Sequence, residues 1–225
     1  MEHVALEREE YFMTIEGGKA KTAAHLLPES ESDTDEGRRL PKRELYTIED
    51  IEALPEGERA ELIDGEIFMM ATPMLRHQKI LIWLSAKIWN YIMEHGGSCE
   101  VFPAPFAVYI KDDEQNYVEP DISVICDPNK LDEKGCHGAP DWVIEIVSPS
   151  SKDMDYERKR TLYEEAGVRE YWIVDPIQST VRVYNFGTMT MVEQHSFSDR
   201  VKAGIYEDLF LDFKEMAIDD QGSTD

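Results

Sequence analysis

The sequence predicts an α/β (α+β) fold, in which helices flank a mixed central β-sheet, because helical and strand-like patterns alternate along the chain. A helical pattern over about 75–95 is followed by short apolar runs, a second helical pattern over about 153–166 and further apolar runs. The order helix, strands, helix, strands builds a sheet covered by helices. The 225 residues suffice for one such domain with a full core, but not for a second.

Capping and turn residues mark the first elements of the domain. Thr47 is a good N-cap and Asp50 stands three residues later, so a helix of about two turns should follow. The pair Asp64-Gly65 separates two apolar runs, which indicates a β-hairpin. Apolar residues at helical spacing then predict the longest helix, which should end at Gly96.

The remaining apolar runs predict strands. They lie at about 99–102, 106–110, 122–126, 142–148, 171–174, 180–184 and 189–192. The run at 142–148 is nearly continuous in apolar residues, as a central strand buried on both faces should be. The second helix, over about 153–166, should stop at Gly167.

The two ends of the chain differ from its middle. Residues 1–43 contain a charged run at 29–36 without any apolar side chain, and we predict a disordered acidic N-terminal tail. Residues 217–225 are predicted to be a flexible C-terminal tail, which leaves 44–216 as the folded domain. No apolar run is long enough for a membrane span, and the acidic N-terminus does not resemble a secretory signal. We therefore expect no membrane partner and a cytoplasmic location.

Three scattered cysteines, Cys99, Cys126 and Cys136, show no C-x-x-C spacing. An odd count without a pattern argues against a disulfide framework and against a zinc site. The expectation is buried or incidental thiols in a reducing compartment.

Two carboxylates stand at unusual places in the predicted strands. Glu145 lies in the middle of the apolar run and should point to the same side as Val143 and Val147. A buried carboxylate costs several kcal/mol unless it is paired, protonated or bound to a cation. Asp121 follows Pro120 and opens the strand at 122–126. Each acid has a simpler interpretation, a salt-bridged glutamate at the sheet rim and an ordinary strand-start aspartate.

Taken together, the two acids predict a cation site. Carboxylates on neighbouring strands repel each other unless a cation lies between them. Oxygen ligands without a nearby His or Cys suit Mg²⁺ or Mn²⁺. On the next helix, Asp155, Lys159 and Tyr163 share one face at spacings of four residues, although a solvated Asp–Lys pair gives the same pattern. The serines before that helix could bind an anion or cap it.

These residues resemble the PD-(D/E)XK nuclease superfamily and, more closely, its Uma-type restriction endonuclease family. The matching segments are 61–66, 120–121, 145–150, 155–168 and 170–176. The resemblance implies a restriction-endonuclease-like core, with Asp121 and Glu145 as metal ligands and Glu61 as a further catalytic acid. The general motif puts a lysine two residues after the second acid, where this chain has Val147; the family pattern points instead to Lys159.

The hypothesis is a metal-dependent endonuclease that hydrolyses DNA phosphodiester bonds with Mg²⁺ (or Mn²⁺). Lys159 would orient the attacking water or stabilise charge in the transition state. The resemblance also implies a homodimer. His77 matches a histidine at the start of the long helix in the family, but a capping or packing role is the favoured interpretation for it.

The charge of the chain limits the DNA hypothesis. The net charge is −24, and a strongly acidic surface repels phosphate. Basic residues gather around the second helix, but acidic residues are interleaved with them, so weak or partner-assisted DNA binding is expected; the basic residues are Lys152, Arg158, Lys159, Arg160 and Arg169. Two alternatives stay open: a catalytically inactive nuclease-fold protein that acts as a protein-interaction module, and a phosphodiesterase acting on RNA or nucleotides.

Overall fold

A computed structural model describes most of the chain and divides it into two units. The described residues are 13–16, 19–22, 45–149, 151–187 and 191–216. One unit comprises 1–44 with 55–57, and the other comprises 45–54 with 58–225.

In the first unit, two four-residue strands lie within the segment predicted to be a disordered tail. Strands β1 (Met13–Glu16) and β2 (Lys19–Thr22) pair antiparallel. The rest of the predicted N-terminal tail, and the C-terminal tail at 217–225, lie outside the described residues.

The second unit contains three α-helices, one π-helix and two 3₁₀ turns among its described residues. They are α1 (Ile48–Glu52), α2 (Leu75–His95), the π-helix Met154–Lys159, α3 (Arg160–Ala166), and the turns Pro128–Lys130 and Phe213–Met216. No described helix has the length and apolar content that crossing a membrane would require.

The strands of the second unit are numbered in chain order. They are β3 (Ala60–Ile63), β4 (Glu66–Met69), β5 (Glu100–Pro103), β6 (Val108–Tyr109), β7 (Ile122–Ile125), β8 (Leu131–Asp132), β9 (Gly135–His137), β10 (Trp142–Ile146), β11 (Glu170–Asp175), β12 (Thr180–Asn185), β13 (Met191–Ser196), β14 (Arg200–Lys202) and β15 (Phe210–Asp212).

Six strands form the central sheet, in the order β13-β12-β11-β10-β7-β5. Strands β10 and β11 are parallel, and every other neighbouring pair in this sheet is antiparallel. The predicted mixed sheet is therefore confirmed. Three small sheets accompany it: β3-β4, β6-β9-β8 and β14-β15.

Strand β10 separates two apolar clusters because its side chains alternate between the faces of the sheet. On one face, Ile144 and Ile146 pack in the cluster that contains the inner side of α2. On the other face, Val143 and Val147 pack in the cluster that contains Tyr163 of α3. The prediction that both faces of this strand are buried is confirmed, since every residue of β10 is buried.

Predicted caps and turns are found where the sequence indicated them. At the start of α1, Thr47 N donates a hydrogen bond to Asp50 Oδ2 at 2.8 Å. Helix α1 has five residues and is therefore shorter than the two turns expected. The hairpin of β3 and β4 turns at Asp64 and Gly65, whose φ angles of 50° and 76° match a turn that needs left-handed backbone at both positions. Helix α2 ends before Gly96, also at positive φ.

The helix predicted at 153–166 is not a single α-helix. Its first turns, from Met154 to Lys159, are π-helical, and the α-helical part begins at Arg160 and ends, as predicted, before Gly167. Apolar spacing does not distinguish a short π-helix from an α-helix, since both place residues four apart on nearly one side.

The expectation of unpaired thiols is wrong for two of the three cysteines. Cys99 and Cys126 form a disulfide. Strands β5 and β7 pair so that Glu100 lies opposite Ile125, and each cysteine is the next residue outward on its strand. The bond therefore depends on strand register, which the spacing of cysteines in the sequence does not contain. Cys136 is a free, buried thiol, as expected.

Candidate active site

Four elements bring the predicted acids and the predicted lysine together. Glu145 lies on β10, Asp121 directly precedes β7, Glu61 lies on β3, and Lys159 ends the π-helix. Because Ile144 of β10 lies opposite Ile122 of β7, the start of β7 is beside the middle of β10. Glu61, Glu145 and Lys159 are all buried, and Asp121 is partly exposed.

Asp121 is held through one of its two carboxylate oxygens. Its Oδ2 accepts a hydrogen bond from the backbone N of Ile146 at 2.7 Å, and His77 Nε2 lies 3.1 Å from the same oxygen. The expectation of no histidine nearby is therefore wrong: α2 begins close enough to β7 for its buried His77 to contact Asp121. Within the described residues, Asp121 Oδ1 has no hydrogen-bond partner.

Lys159 forms the centre of a buried charge cluster. Its Nζ lies 2.9 Å from Glu61 Oε1 and 2.9 Å from Glu145 Oε1. The ammonium also lies 3.8 Å from Asp155 Oδ1. Asp155 and Lys159 are 2% and 5% exposed, so the interpretation as a solvated Asp–Lys pair is wrong.

Glu145 is likewise held through one oxygen. Its Oε1 accepts hydrogen bonds from Lys159 and, at 2.7 Å, from the hydroxyl of Tyr163. Its Oε2 accepts only a long bond of 3.3 Å, from the backbone N of Asp121, among the described residues. Burial raises the pKa of Glu145 well above its usual value against the attraction of Lys159, and the neighbouring carboxylates raise this pKa further.

The lysine keeps its charge in this environment. Burial by itself would lower the pKa of Lys159, but Glu145, Glu61 and Asp155 together raise it well above 10.5. The Glu61 side chain is also held by the segment before β7, since its Oε1 accepts a hydrogen bond from the backbone N of Glu119 at 3.0 Å. The cluster is thus preorganised by backbone donors as well as by Lys159.

Asp155 belongs to the cluster, although it was not among the predicted site residues. Ser151 Oγ donates to Asp155 Oδ2 at 2.7 Å. Burial raises the pKa of Asp155 to about 6, opposed by Lys159 and by the Ser151 bond. The feature of the sequence that could have identified Asp155 is its position four residues before Lys159. Of the two serines predicted to bind an anion or cap the helix, Ser151 binds Asp155, and Ser150 lies outside the described residues.

The cluster has more negative than positive groups. Three carboxylates, those of Glu61, Glu145 and Asp155, surround one lysine ammonium. The carboxylate of Asp121 lies close enough to Glu145 to raise its pKa. Among the described residues, no group of three or more His, Cys, Asp or Glu side chains forms a ready metal cage. Two carboxylates with water would nevertheless suit Mg²⁺, which usually keeps several waters and binds proteins through one or two carboxylates.

The basic residues around the second helix are largely neutralised. Arg158 pairs with Glu66 at 2.8 Å, Arg160 with Glu164 at 2.7 Å, and Arg169 with Asp141 at 3.1 Å. Lys159 is buried in the cluster and faces carboxylates. These pairs leave little positive potential for a phosphate backbone on this side of the molecule.

The architecture matches a solved nuclease fold. A crystal structure of a putative nuclease belonging to DUF820, from Anabaena variabilis, has a TM-score of 0.62 to this chain, at 23% identity. The match covers 76% of this chain and 96% of that one. The chain therefore shares the fold of that putative nuclease.

Sequence comparison identifies the family within that class. Residues 44–214 match the Uma2 family, described as "putative restriction endonuclease", and the chain belongs to this family. The uncharacterized protein slr1290 of Synechocystis sp. is 30% identical over 129 residues. That match covers 57% of this chain and 66%, just under two thirds, of the relative. The predicted resemblance is confirmed.

Proposed function

We propose that this protein is a metal-dependent endonuclease that hydrolyses phosphodiester bonds in DNA, with Asp121, Glu145, Lys159 and Glu61 as its catalytic residues. The observation that carries the proposal is the hydrogen bonding of the two acids. Asp121 and Glu145 are each fixed through one oxygen, while Asp121 Oδ1 and Glu145 Oε2 lack strong donors among the described residues. The family description supports a nuclease role.

The two open oxygens fit a divalent metal. Asp121 and Glu145 would hold Mg²⁺, or Mn²⁺, because all the oxygens concerned are hard ligands. The single lysine leaves excess negative charge in the cluster, which a divalent cation would balance. When bound, such an ion lowers the pKa of a water and neutralises charge on the phosphate.

The protein groups would position and stabilise the reacting atoms. Lys159 remains protonated and would orient the attacking water or stabilise negative charge as it develops. Glu61 and Glu145 hold the Lys159 ammonium between them. Tyr163 and Lys159 together fix Glu145 Oε1, which directs Oε2 towards Asp121.

The acidic charge shapes the substrate proposal. With a net charge of −24 and the nearby arginines already paired, we expect weak or partner-assisted binding of DNA. A homodimer would place two sites on one duplex. The nuclease domain is proposed to span 44–216, and the cytoplasm is the proposed location.

Plasmid cleavage with Mn²⁺ or Mg²⁺ tests the proposal directly. Wild type should nick or linearise the plasmid, and Asp121→Ala should not. Glu193→Ala is a matched control, because Glu193 is an exposed carboxylate on β13, at the edge of the central sheet. Undiminished cleavage by Asp121→Ala would falsify the site.

One observation favours a non-catalytic alternative. Lys159 already neutralises part of the carboxylate cluster, and the surrounding arginines face acids, as suits a protein-interaction module that retains the fold. Calorimetric titration with Mn²⁺ separates the two functions. An enzyme should bind the ion in a manner lost in Asp121→Ala and Glu145→Ala, and a module should not. A panel of DNA, RNA and nucleotide diesters then defines the substrate.

A further inference from the structure

The outer face of α2 carries an apolar stripe, defined here by five residues. They are Leu75, Ile82, Ala86, Trp89 and Met93. The four large members are 50–75% exposed. At 3.6 residues per turn, all five fall within an arc of about 60° on the helix surface. The stripe lies opposite the buried side of α2, so this helix is apolar on two faces.

Such a helix is unusual on the surface of a monomer. A surface helix normally carries polar residues opposite its core-facing side, and contiguous exposed apolar patches mark interaction sites. Eleven large apolar side chains are exposed among the described residues. Four of them belong to the stripe and a fifth, Met74, caps the same helix. The concentration of exposed apolar side chains on one helix indicates that this surface binds a partner.

We propose that the apolar stripe is the surface through which two copies of this chain pair, with their α2 helices antiparallel. This inference rests on the homodimer of the proposed function, but not on the proposed metal or reaction. The experiments below measure mass and dissociation constants instead of cleavage, so a failure of the dimer proposal is distinguishable from a failure of the nuclease proposal.

The form of the stripe fits a second helix. From Leu75 to Met93 it runs straight for about 27 Å at 1.5 Å per residue, which suits another long helix better than a loop. Ala86, near its middle, lets two helices approach to the usual interaxial distance of about 8–10 Å. An antiparallel arrangement centred near Ala86 then places Ile82 against the partner's Trp89.

The charges that flank the stripe fit the same arrangement. Lys79 and Glu94 are exposed on one side of the stripe, near opposite ends of α2. In an antiparallel pair, Lys79 of each copy lies near the partner's Glu94, whereas a parallel pair would keep both Lys79 side chains at one end of the interface and both Glu94 side chains at the other. Helix α2 also has three basic residues and one acidic residue in a chain of net charge −24. Among the described α-helices it is therefore the one without a surplus of acidic residues, so pairing through α2 does not bring two acidic surfaces together.

The area available is sufficient for a stable dimer. The exposed parts of Met74 and the four large stripe residues amount to roughly 600 Å² per copy, so their complete burial in a symmetric pair would remove on the order of 1,200 Å², the lower bound of standard interfaces. The central Trp89 is of the type that dominates interface energetics.

Sedimentation equilibrium of the full chain over a concentration series tests the proposal. Wild type should show a dimer of twice 25.9 kDa. Ile82→Glu and Trp89→Glu should each raise the dissociation constant at least 100-fold, with unchanged circular dichroism because both side chains are exposed. Ile177→Glu is the matched control: this side chain is 63% exposed in the turn between β11 and β12, and its variant should dimerise like wild type.

Charge exchange tests the antiparallel geometry. Lys79→Glu should raise the dissociation constant about two- to tenfold, as expected for exposed ion pairs made twice, and Glu94→Lys should do the same. The double variant should restore wild-type affinity. A monomeric wild type, an unchanged mass in Ile82→Glu, or no restoration in the double variant overturns the proposal. A monomer whose DNA binding falls in Ile82→Glu overturns it in favour of a nucleic-acid partner.

Discussion

The two faces of strand β10 are buried to the same degree but differ in what they contain. On the α2 side, the side chains of Ile144 and Ile146 pack in a continuous apolar core. On the α3 side, Glu145 stands between Val143 and Val147 and meets Lys159 and a tyrosine hydroxyl. One strand therefore contributes to packing on one face and to a charged cluster on the other.

This difference teaches that the buried charges on the α3 side are stabilised by the ion pairs and hydrogen bonds that they make with Lys159 and Tyr163. Removing one partner of a buried ion pair leaves an uncompensated charge, whereas removing an apolar side chain leaves a cavity. Substitutions on the two faces should accordingly have different consequences. Those on the α3 side should affect activity first, and those on the α2 side should affect stability first.

Glu145→Gln should produce the largest separation of activity from stability. The amide keeps the shape of the side chain but cannot supply a full negative charge to a cation, so the cleavage rate should fall roughly 10³-fold. The melting temperature should change far less than in a core truncation. Plasmid cleavage and thermal unfolding of the same preparation measure both effects; a variant with near wild-type cleavage would contradict the assignment of this residue.

Ile144→Ala should have the opposite effect, on the neighbouring residue of the same strand. Ile144 is fully buried in the α2-side core, and its truncation should lower the free energy of unfolding by about 2–5 kcal/mol. Cleavage per folded molecule should stay at the wild-type level at low temperature. Urea unfolding gives the first quantity, and rates normalised to the folded fraction give the second. A large specific loss of activity would remove the distinction between the faces.

Tyr163→Phe should have a smaller effect, on metal affinity and on the stability of the charged cluster. The variant removes the hydroxyl that donates to Glu145 Oε1, so we expect a roughly tenfold rise in the Mn²⁺ concentration for half-maximal binding and a stability loss of about 1 kcal/mol. Calorimetric Mn²⁺ titration is the measurement. Tyr171→Phe is the matched control, because that buried hydroxyl donates to the backbone O of Asp155. Equal shifts in both variants would show a merely structural effect.

Alkylation of Cys136 tests whether water reaches the apolar cluster on the α3 side, to which this thiol belongs. Burial raises the pKa of this thiol to about 11, so at pH 8 only about one molecule in a thousand carries the reactive thiolate. Iodoacetamide should label native protein at least about 100-fold more slowly than urea-unfolded protein. The rate should rise as the pH approaches 11. Rapid native labelling at pH 8, followed by mass spectrometry, would indicate that water reaches this face.

Much of the fold could be predicted from local patterns. The bounds of α2 follow from apolar periodicity and Gly96, and the β3–β4 hairpin follows from Asp64-Gly65. Strands β8, β9, β14 and β15 were not predicted because two or three residues are too few to show a periodicity. The order of strands in the sheet also depends on pairing between distant segments, which local patterns do not encode.

The candidate site was likewise predictable only where a local pattern or the family resemblance identified a residue. Glu145 is conspicuous as an acid within an apolar strand, and the family resemblance pointed to Glu61 and Lys159. The contacts of His77 and Asp155 were missed, since they depend on how helices pack against the sheet. The Cys99–Cys126 disulfide was missed because only strand register brings the two residues together.

The π-helical turn at Met154–Lys159 has a consequence for insertions and deletions. A π-helix arises where a helix accommodates an additional residue, and such turns are frequent at functional sites. Deletion of one residue here would restore α-helical register and rotate the segment before the deletion by about 100° relative to helix α3. Asp155 would then leave the neighbourhood of Lys159 without any change in its identity. The length of this segment, as much as its composition, is therefore the property that a functional descendant of this chain must preserve.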